Sequence, residues 1–490
     1  MNIQLPTELY SAAQVRELDR RAIQDHGIPG YTLMCRAGEA AFGALLERWP
    51  DARRVGVLCG PGNNGGDGYV IARLTRAAGL SVWLVESGDA TGLKGDAARA
   101  REDFLAAGGV PLAADAPWPQ ADVLVDALLG TGLDRLVSGP VAGLIEGLNG
   151  AGLPVLAVDI PSGLHADTGA IMGVAVRATL TMSFIGLKTG QCTGEGPEYC
   201  GQLGFDALQV PGAVYQDMAA QATRLDAACI RGLSPRSRSA HKGVFGHVLV
   251  AGGDRGMPGA VGLAGEAAAR TGAGLVCVAT RGEHAALLPM ARAELMAHGV
   301  AGPGDLSPLL ARATVLAVGP GLGRGDWGRS LLGRLLETEL PMVVDADALN
   351  LLAGEPEQRD NWVLTPHPGE AARLLETDTA SIQASRLDAA RAIQQRFGGV
   401  CVLKGAGTVI HDGARAAICT GGNPGMASGG MGDVLTGIIA ALLAQGMAPG
   451  EAARLGVCIH AEAGDRAARD GERGLLASDL IAELRGVVNP

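Results

Sequence analysis

Apolar and polar positions along this chain follow two rhythms, one of period 3.6 and one of short unbroken runs. Ser11 opens an SxxQ pattern, and Val15, Leu18, Ala22 and Ile23 then recur at helical spacing, which predicts a capped amphipathic helix. A second helix is predicted near Leu33 to Trp49. Apolar runs follow at 54 to 60 (RVGVLCG), 81 to 86 (SVWLVE), 122 to 130 (DVLVDALLG), 154 to 163 (PVLAVDIPSG) and 178 to 184 (ATLTMSF). Helical segments such as 67 to 78 and 95 to 107 separate them. Strands without a polar face, alternating with helices, predict a mainly parallel sheet covered on both sides. Ligands of such a sheet bind beyond the carboxyl ends of its strands.

The rhythm lapses from about Val210 to Ser239, and a domain boundary is placed near residue 222. A second series of runs follows at 247 to 252, 274 to 280, 314 to 319, 341 to 345, 361 to 365 and 400 to 404, with helices between. Two short β-type runs at 408 to 412 and 415 to 420 precede helices over 433 to 445 and 451 to 470. The halves are not obvious repeats of each other. With 490 residues, two α/β domains are expected, 1–222 and 223–490.

Composition narrows the function. At 47% hydrophobic and 19% charged residues the chain can bury large cores, which argues against disorder. Glycine, at 75 residues, is about twice its usual share, and aromatics are only 3%, so binding surfaces are expected from backbone turns more than from stacking. A net charge of −11 argues against nucleic acid as a partner. The local cluster Arg231, Arg236, Arg238, His241 and Lys242 reads as a solvated linker. Nine cysteines without a CxxC pair indicate neither a zinc site nor a disulfide framework and suit a reducing compartment. The start, MNIQLPTELYS, shows no signal-peptide pattern, and the longest apolar stretch, Val434 to Ala444, is too short to cross a bilayer. A cytoplasmic protein acting on small molecules, away from membranes and assembled as a homo-oligomer, is expected.

The most informative stretch is GGNPGMASGGMGDVLTG, 421 to 437, where small residues deliver Asp433 to the start of an apolar helix. Backbone N–H groups from Gly429 to Gly432 and the positive helix end suit phosphate oxygens, and Asp433 is placed to take a proton from a hydroxyl. Taken alone, the same residues also describe an acidic helix N-terminus. In the first half, each strand end is expected to carry a polar loop: Asn63, Asn64 and Asp67 in the glycine-rich loop GPGNNGGDG, Asp126 with GTGL, then Asp159 and Ser162. Such oxygen and amide donors suit a hard cation, and the glycines suit phosphates. GPGNNGGDG is not the dinucleotide fingerprint GxGxxG.

GPGNNGGDG, DALLGTGL and VDIPSG resemble the epimerase domain of the NAD(P)H-hydrate repair enzymes. HKGVFGHVLVAGG, MPGAVGLAGEAAARTGAGLV, VGPGLG, DADALN, TPHPGE, KGAGT and NPGMASGGMGDVLTG resemble the partner dehydratase. The resemblance implies a Rossmann-like three-layer sandwich followed by a ribokinase-like fold. It implies epimerisation of R and S hydrates at nicotinamide C6, then dehydration of the S form with ADP as co-substrate, giving NAD(P)H, AMP and phosphate. By similarity the epimerase contacts are Asn63, Asn64, Gly65, Gly66, Asp67, Gly130, Thr131, Gly132, Leu133, Asp134, Arg135, Leu136 and Asp159. Asn64, Asp126 and Ser162 match potassium (K+) positions. Asp159, with Lys188 second, is the expected proton-passing group. In the dehydratase, Ala260, Gly323, His367 and Asp433 match hydrate contacts, and Asp433 also matches the base. Lys404, Gly405, Ala406, Gly407, Thr408 and Gly432 match the ADP and AMP side. Asp345 and Asp347 are candidates either to organise magnesium (Mg2+) or, for one of them, to cap a helix. A ribokinase-like small-molecule kinase is a rival, although the NxxE motif of that group is missing; a protein-binding role for the first half is another.

Overall fold

Strands of the first half lie side by side in one parallel sheet, in the order Pro111–Leu112, Ser81–Glu86, Arg54–Cys59, Val123–Ala127, Val155–Val158, Leu180–Phe184 and Gln202–Asp206. The structure, a computed structural model, describes residues 5–88, 92–113 and 115–489. It divides into two compact units, Met1–Thr223 and Arg224–Pro490. In the first, the chain enters mid-sheet at Arg54–Cys59, builds outward to Pro111–Leu112, then crosses to Val123–Ala127 on the other side. That reversal leaves a crevice at the carboxyl ends of Arg54–Cys59 and Val123–Ala127, where ligands of such sheets bind.

Burial on both faces explains the unbroken runs. Val55, Val57, Val125 and Leu156 pack into one core with Leu33, Leu45 and Ile71 from the helices Gly30–Arg48 and Asn63–Ala77. Leu58, Val85 and Leu124 pack on the opposite face against Leu144, Ile145 and Leu148 of the helix Pro140–Gly150. Each such side chain contributes about 1.5–3 kcal/mol. The predicted runs overshoot the strands: 122 to 130 contracts to Val123–Ala127, and 154 to 163 to Val155–Val158. The short strands Pro111–Leu112 and Gln202–Asp206 went unread, because they lie at the two edges of the sheet and lack a continuous apolar run.

One larger correction concerns GPGNNGGDG. Helix Asn63–Ala77 begins at Asn63, four residues before the expected start, so Asn63 to Asp67 form its first turn and not a loop. Its glycines serve close packing. A Cβ on Gly65 would collide with the Gly60 carbonyl, and one on Gly68 would lie 2.7 Å from Cys59 Sγ. The N-terminal helix Ala12–Arg20 carries the expected capping box, with Gln14 N donating to Ser11 Oγ (3.2 Å) and Ser11 N to Gln14 Oε1 (3.0 Å). Before it, Glu8–Tyr10 pairs in parallel with Leu187–Lys188.

In the second unit the strand order is Met296–Gly299, Leu275–Thr280, His247–Ala251, Val315–Val318, Met342–Val344, Trp362–Leu364, Val400–Leu403, Thr408–His411 and Ala416–Cys419. Pairing is parallel up to Val400–Leu403 and antiparallel beyond it. Again the chain starts mid-sheet and reverses, here between His247–Ala251 and Val315–Val318. Helix Met431–Ala444 packs on Pro258–Thr271 so closely that a Cβ on Gly437 would strike the Ala264 carbonyl. The edge strand Met296–Gly299 and a final helix, Ala477–Val487, were not read from sequence. The basic residues from Arg231 to Lys242 are exposed, and Arg236 stacks 3.7 Å from the Phe245 ring centroid. Among the described residues no helix is long and apolar enough to cross a membrane.

Candidate active sites

The crevice of the first unit opens into a cavity of about 570 Å³. Asn63, Asn64 and Asp67 line it from the helix Asn63–Ala77, Gly130, Thr131, Gly132, Leu133, Asp134 and Arg135 from the loop after Val123–Ala127, and Asp159 from the next strand end. Gly65 and Gly66 are buried within the helix packing, and Leu136 is exposed; none of these three lines the cavity. Asp159 has φ of +68°, a left-handed conformation that few residues besides glycine, asparagine and aspartate adopt. Three bonds hold it there. Its N–H donates to Met182 O (2.7 Å), its carbonyl accepts from Gln191 Nε2 (2.8 Å), and its Oδ1 accepts from Phe184 N (3.2 Å). Lys188, wholly buried, ion-pairs with the same carboxylate and also donates to Ser183 Oγ (3.1 Å) and Phe184 O (3.2 Å). A buried ammonium needs that partner.

Asp19 and Asp67 share the cavity wall. Burial, and after it the charge of Asp159, raises Asp19 to about 6 and holds Asp67 well above the carboxylate range. Beside the cavity, Asp126 is buried and accepts from Ser162 Oγ (2.6 Å), Ser162 N (2.8 Å) and Leu128 N (3.2 Å), and burial pushes it up to about 6. Asn64 Nδ2 donates to Leu129 O (3.0 Å), whose own N–H donates to Ser162 Oγ (2.7 Å). Asn64 Oδ1 is buried with no hydrogen-bond partner. An orphaned amide oxygen joined through Leu129 to a hydroxyl and a carboxylate is donor chemistry for a hard cation.

In the second unit the strand ends bring together Lys404, Asp345 and the start of helix Met431–Ala444. Lys404 Nζ donates to Asp345 Oδ1 (2.6 Å) and lies 3.9 Å from Glu370 Oε2. Thr436 Oγ1 donates to Asp345 Oδ2 (2.7 Å). Gly432 lets this pair pass beneath the helix: a Cβ there would lie 3.2 Å from Lys404 Nζ. Gly430 caps the helix at φ of +90°. Asp433 follows in the first turn, and burial, reinforced by the Asp345 charge, raises it to about 7 against the opposing pull of Lys404. That is the value a base working at neutral pH requires.

The remaining expected residues surround this centre. Ala260 sits in the first turn of Pro258–Thr271, facing the Gly319 to Gly323 loop: a Cβ on Gly321 would lie 3.3 Å from the Ala260 Cβ. Gly323 has φ of +72° and donates its N–H to Asp347 Oδ2 (2.9 Å). His367 caps helix Pro368–Leu374, its Nδ1 accepting from Gly369 N (3.0 Å) while Glu370 Oε2 accepts from His367 N (2.8 Å). Lys404 to Thr408 make the tight connection into Thr408–His411, with Gly405 and Ala406 exposed and Thr408 Oγ1 donating to Gly405 O (2.9 Å). Buried Arg386 braces that turn, donating to Leu403 O (3.2 Å) and Lys404 O (3.1 Å). Asp345 stands at a helix N-cap position without capping, since both its oxygens are engaged by Lys404 and Thr436. Among the described residues no three His, Cys, Asp or Glu side chains converge on a metal position, so the residues do not by themselves build a cage for Mg2+.

Comparison with known proteins finds a separate family match within each unit. A family model described as YjeF-related protein N-terminus matches residues 30–190, and one described as NAD(P)H-hydrate dehydratase matches 248–485. The bifunctional NAD(P)H-hydrate repair enzyme Nnr of Coxiella burnetii is 51% identical over 492 residues, covering 99% of this chain and 100% of that one. The chain belongs to the bifunctional NAD(P)H-hydrate repair enzymes. The Escherichia coli member of this repair family is 47% identical, covering 100% of this chain and 95% of its own. A solved ribokinase-like superfamily protein from Enterococcus faecalis V583 superposes with a TM-score of 0.50 at 28% identity, covering 54% of this chain and 94% of that chain.

Sequence reading missed Asp19, Glu370, Thr436 and Arg386. Two had local signals: Glu370 is the third helical residue after His367, a capping-box position, and Thr436 lies one helical turn after Asp433. Asp19 and Arg386 had none, because only the fold carries their helices to the sites.

Proposed function

We propose that the first unit interconverts the R and S forms of NADH or NADPH hydrated at nicotinamide C6, and that the second dehydrates the S form at the expense of ADP. One observation carries this reading: a single chain of a hydrate-repair family holds two carboxylate sites, each beyond the carboxyl ends of the parallel strands of its own sheet.

Dehydration is difficult because hydroxide leaves poorly. Asp433, raised to about 7, accepts the C6 hydroxyl proton as that oxygen attacks the terminal phosphorus of ADP, and AMP departs. Phosphate is then expelled from C6 as C5 gives up a proton, which restores NAD(P)H. Exposed backbone at Gly405 and Ala406, with Gly432 at the helix start, supports a nucleotide seat there, and Gly323, Ala260 and His367 support a hydrate seat opposite. Mg2+ would be carried mostly by nucleotide phosphates, because both Asp345 oxygens already accept hydrogen bonds, from Lys404 and Thr436. In the first unit Asn64, Asp126 and Ser162 would hold K+, whose positive charge would keep Asp126 ionised; the orphaned Asn64 Oδ1 supports this. Asp159, fixed by Lys188, is the base of the epimerase. Nine cysteines, none of them in a disulfide, support a reducing, cytoplasmic setting.

The deciding assay gives the protein a mixture of R and S hydrates and follows the absorbance of restored NADH. With ADP, both epimers are expected to be consumed; without nucleotide, only their interconversion is expected. Rapid phosphorylation of vitamin-like alcohols by ATP, with the hydrates untouched, would establish the kinase reading instead.

A further inference from the structure

We propose that Asp19, on the N-terminal helix, is the proton donor of the epimerase cavity, working opposite Asp159. The proposal rests on the epimerase reading of the first unit.

Helix Ala12–Arg20 is built into the site. It presents Val15, Arg16 and Asp19 to the cavity, and Arg16 reaches Thr131 O at 3.5 Å. The strand before it pairs Tyr10 with Lys188, the residue that holds Asp159, and Ala12 N donates to Asp167 Oδ1 (2.6 Å). Asp19 is therefore anchored by the same strand register as the Asp159 and Lys188 pair. Its carboxyl makes no hydrogen bond or ion pair with any described residue, so it faces the cavity uncommitted.

Charge counting supports the assignment. Asp19, Asp67, Asp96, Asp134 and Asp159 line the cavity with Arg16 and Arg135, and Lys188 is buried beside Asp159. If all five carboxyls were ionised against these three cations, two negative charges would stand uncompensated in a partly buried space, so a proton is retained among them. Asp159 is engaged by Lys188 and by Phe184 N, whereas Asp19 has no such partner among the described residues. Burial raises Asp67 well above the usual carboxylate value, and Asp19, raised to about 6, can both release and regain a proton near neutral pH. The groups facing Asp19 are Asp67, Asp159, Lys188 and Tyr215, with Arg16, Asp96, Asp134 and Arg135 also on the cavity wall or bordering it.

The step balances without any other reactant. The C6–O bond breaks with its electron pair on oxygen, the Asp19 proton makes that oxygen water, and the ring nitrogen lone pair stabilises the cation. Water then adds to the opposite ring face and gives its proton to Asp159. The surplus proton returns from Asp159 to Asp19 through solvent.

The test is R-to-S conversion by the full chain across pH, comparing wild type, Asp19→Asn and Asp19→Glu, with epimers separated chromatographically. Wild-type kcat is expected to fall as pH rises past about 6. Asp19→Asn is expected to lower kcat by about 10²–10⁴-fold, leave KM within about threefold and lose that pH limb. Asp19→Glu should restore part of the rate with a displaced limb. In ¹⁸O-water each epimerisation should place label at C6. A wild-type pH profile in Asp19→Asn, a change confined to KM, or retention of the original oxygen would each overturn the proposal. If Asp19→Asn does not fold, Asp19→Glu decides, since an unaltered rate and limb there also overturns it. Turnover of S hydrate by the second unit should be the same in all three proteins. A wild-type chain that leaves R and S unequilibrated would instead remove the epimerase reading itself.

Discussion

Asparagine at position 433 keeps the shape of a neutral carboxyl and removes only the capacity to ionise. Burial, then the charge of Asp345, raises Asp433 from 3.8 to about 7. That gap corresponds to about 4 kcal/mol for holding the ionised form in the folded chain, and to about 2 after allowing for the part of the side chain that solvent reaches. The folded value lies above the unfolded one, so the stability tied to the protonated form is complete below about pH 4 and is lost as pH rises to about 7. Asp433→Asn escapes this loss. Its advantage over wild type is expected to be near zero at pH 4 and about 2–4 kcal/mol above pH 7. Dehydratase turnover should meanwhile fall by about 10²–10⁴-fold. Because two units unfold in one chain, the measurement is urea-dependent hydrogen exchange in the peptide spanning 431 to 444, at pH 5 and pH 8. A variant no more stable at pH 8 than at pH 5, relative to wild type, would show that Asp433 is not held under electrostatic strain. The account of its basicity would then be wrong.

Asp159→Asn should keep the left-handed backbone, which asparagine tolerates, yet abolish epimerisation and destabilise the first unit by about 3–5 kcal/mol through the unpaired Lys188; thermal melting that matches wild type would count against the pair. Gly65→Ala drives a methyl into the Gly60 carbonyl and should cost about 3 kcal/mol in the first unit while dehydratase turnover survives, as exchange protection of each unit would show. Replacing K+ by tetramethylammonium should slow epimerisation and spare dehydration, and Asn64→Leu should erase the difference between the two salts. Lys404→Met strands the buried Asp345 carboxylate and should cost about 3–5 kcal/mol, read as a lowered urea midpoint for the second unit.

Much of this was legible before any coordinates. Buried parallel strands announce themselves because both faces are covered, so Arg54–Cys59, Val123–Ala127 and Val400–Leu403 needed no alternation to be seen. Edge strands such as Gln202–Asp206 and Met296–Gly299 lack that signature and were missed. Asp433 stood out because small residues deliver it to the start of an apolar helix, and the resemblance set it apart from an ordinary acidic helix N-terminus, whereas the glycines of GPGNNGGDG were misread as a loop. Glycine marks close approach as readily as it marks a turn, and only the neighbour it approaches, here the Gly60 carbonyl, distinguishes the two.

Local chemistry along the chain was enough to show the alternation of buried strands with helices and the glycine-framed carboxylates at strand ends, while the resemblance singled out Asn64, Asp126 and Ser162 among the oxygen and amide donors. What tertiary structure alone decided was company. Asp19 beside Asp159, Lys404 across from Asp345 with Thr436, and Arg386 under the 404 to 408 turn are separated by 18 to 140 positions in sequence. Proton affinity depends on burial and on charges within a few ångströms, and those distances exist only once the sheets have closed.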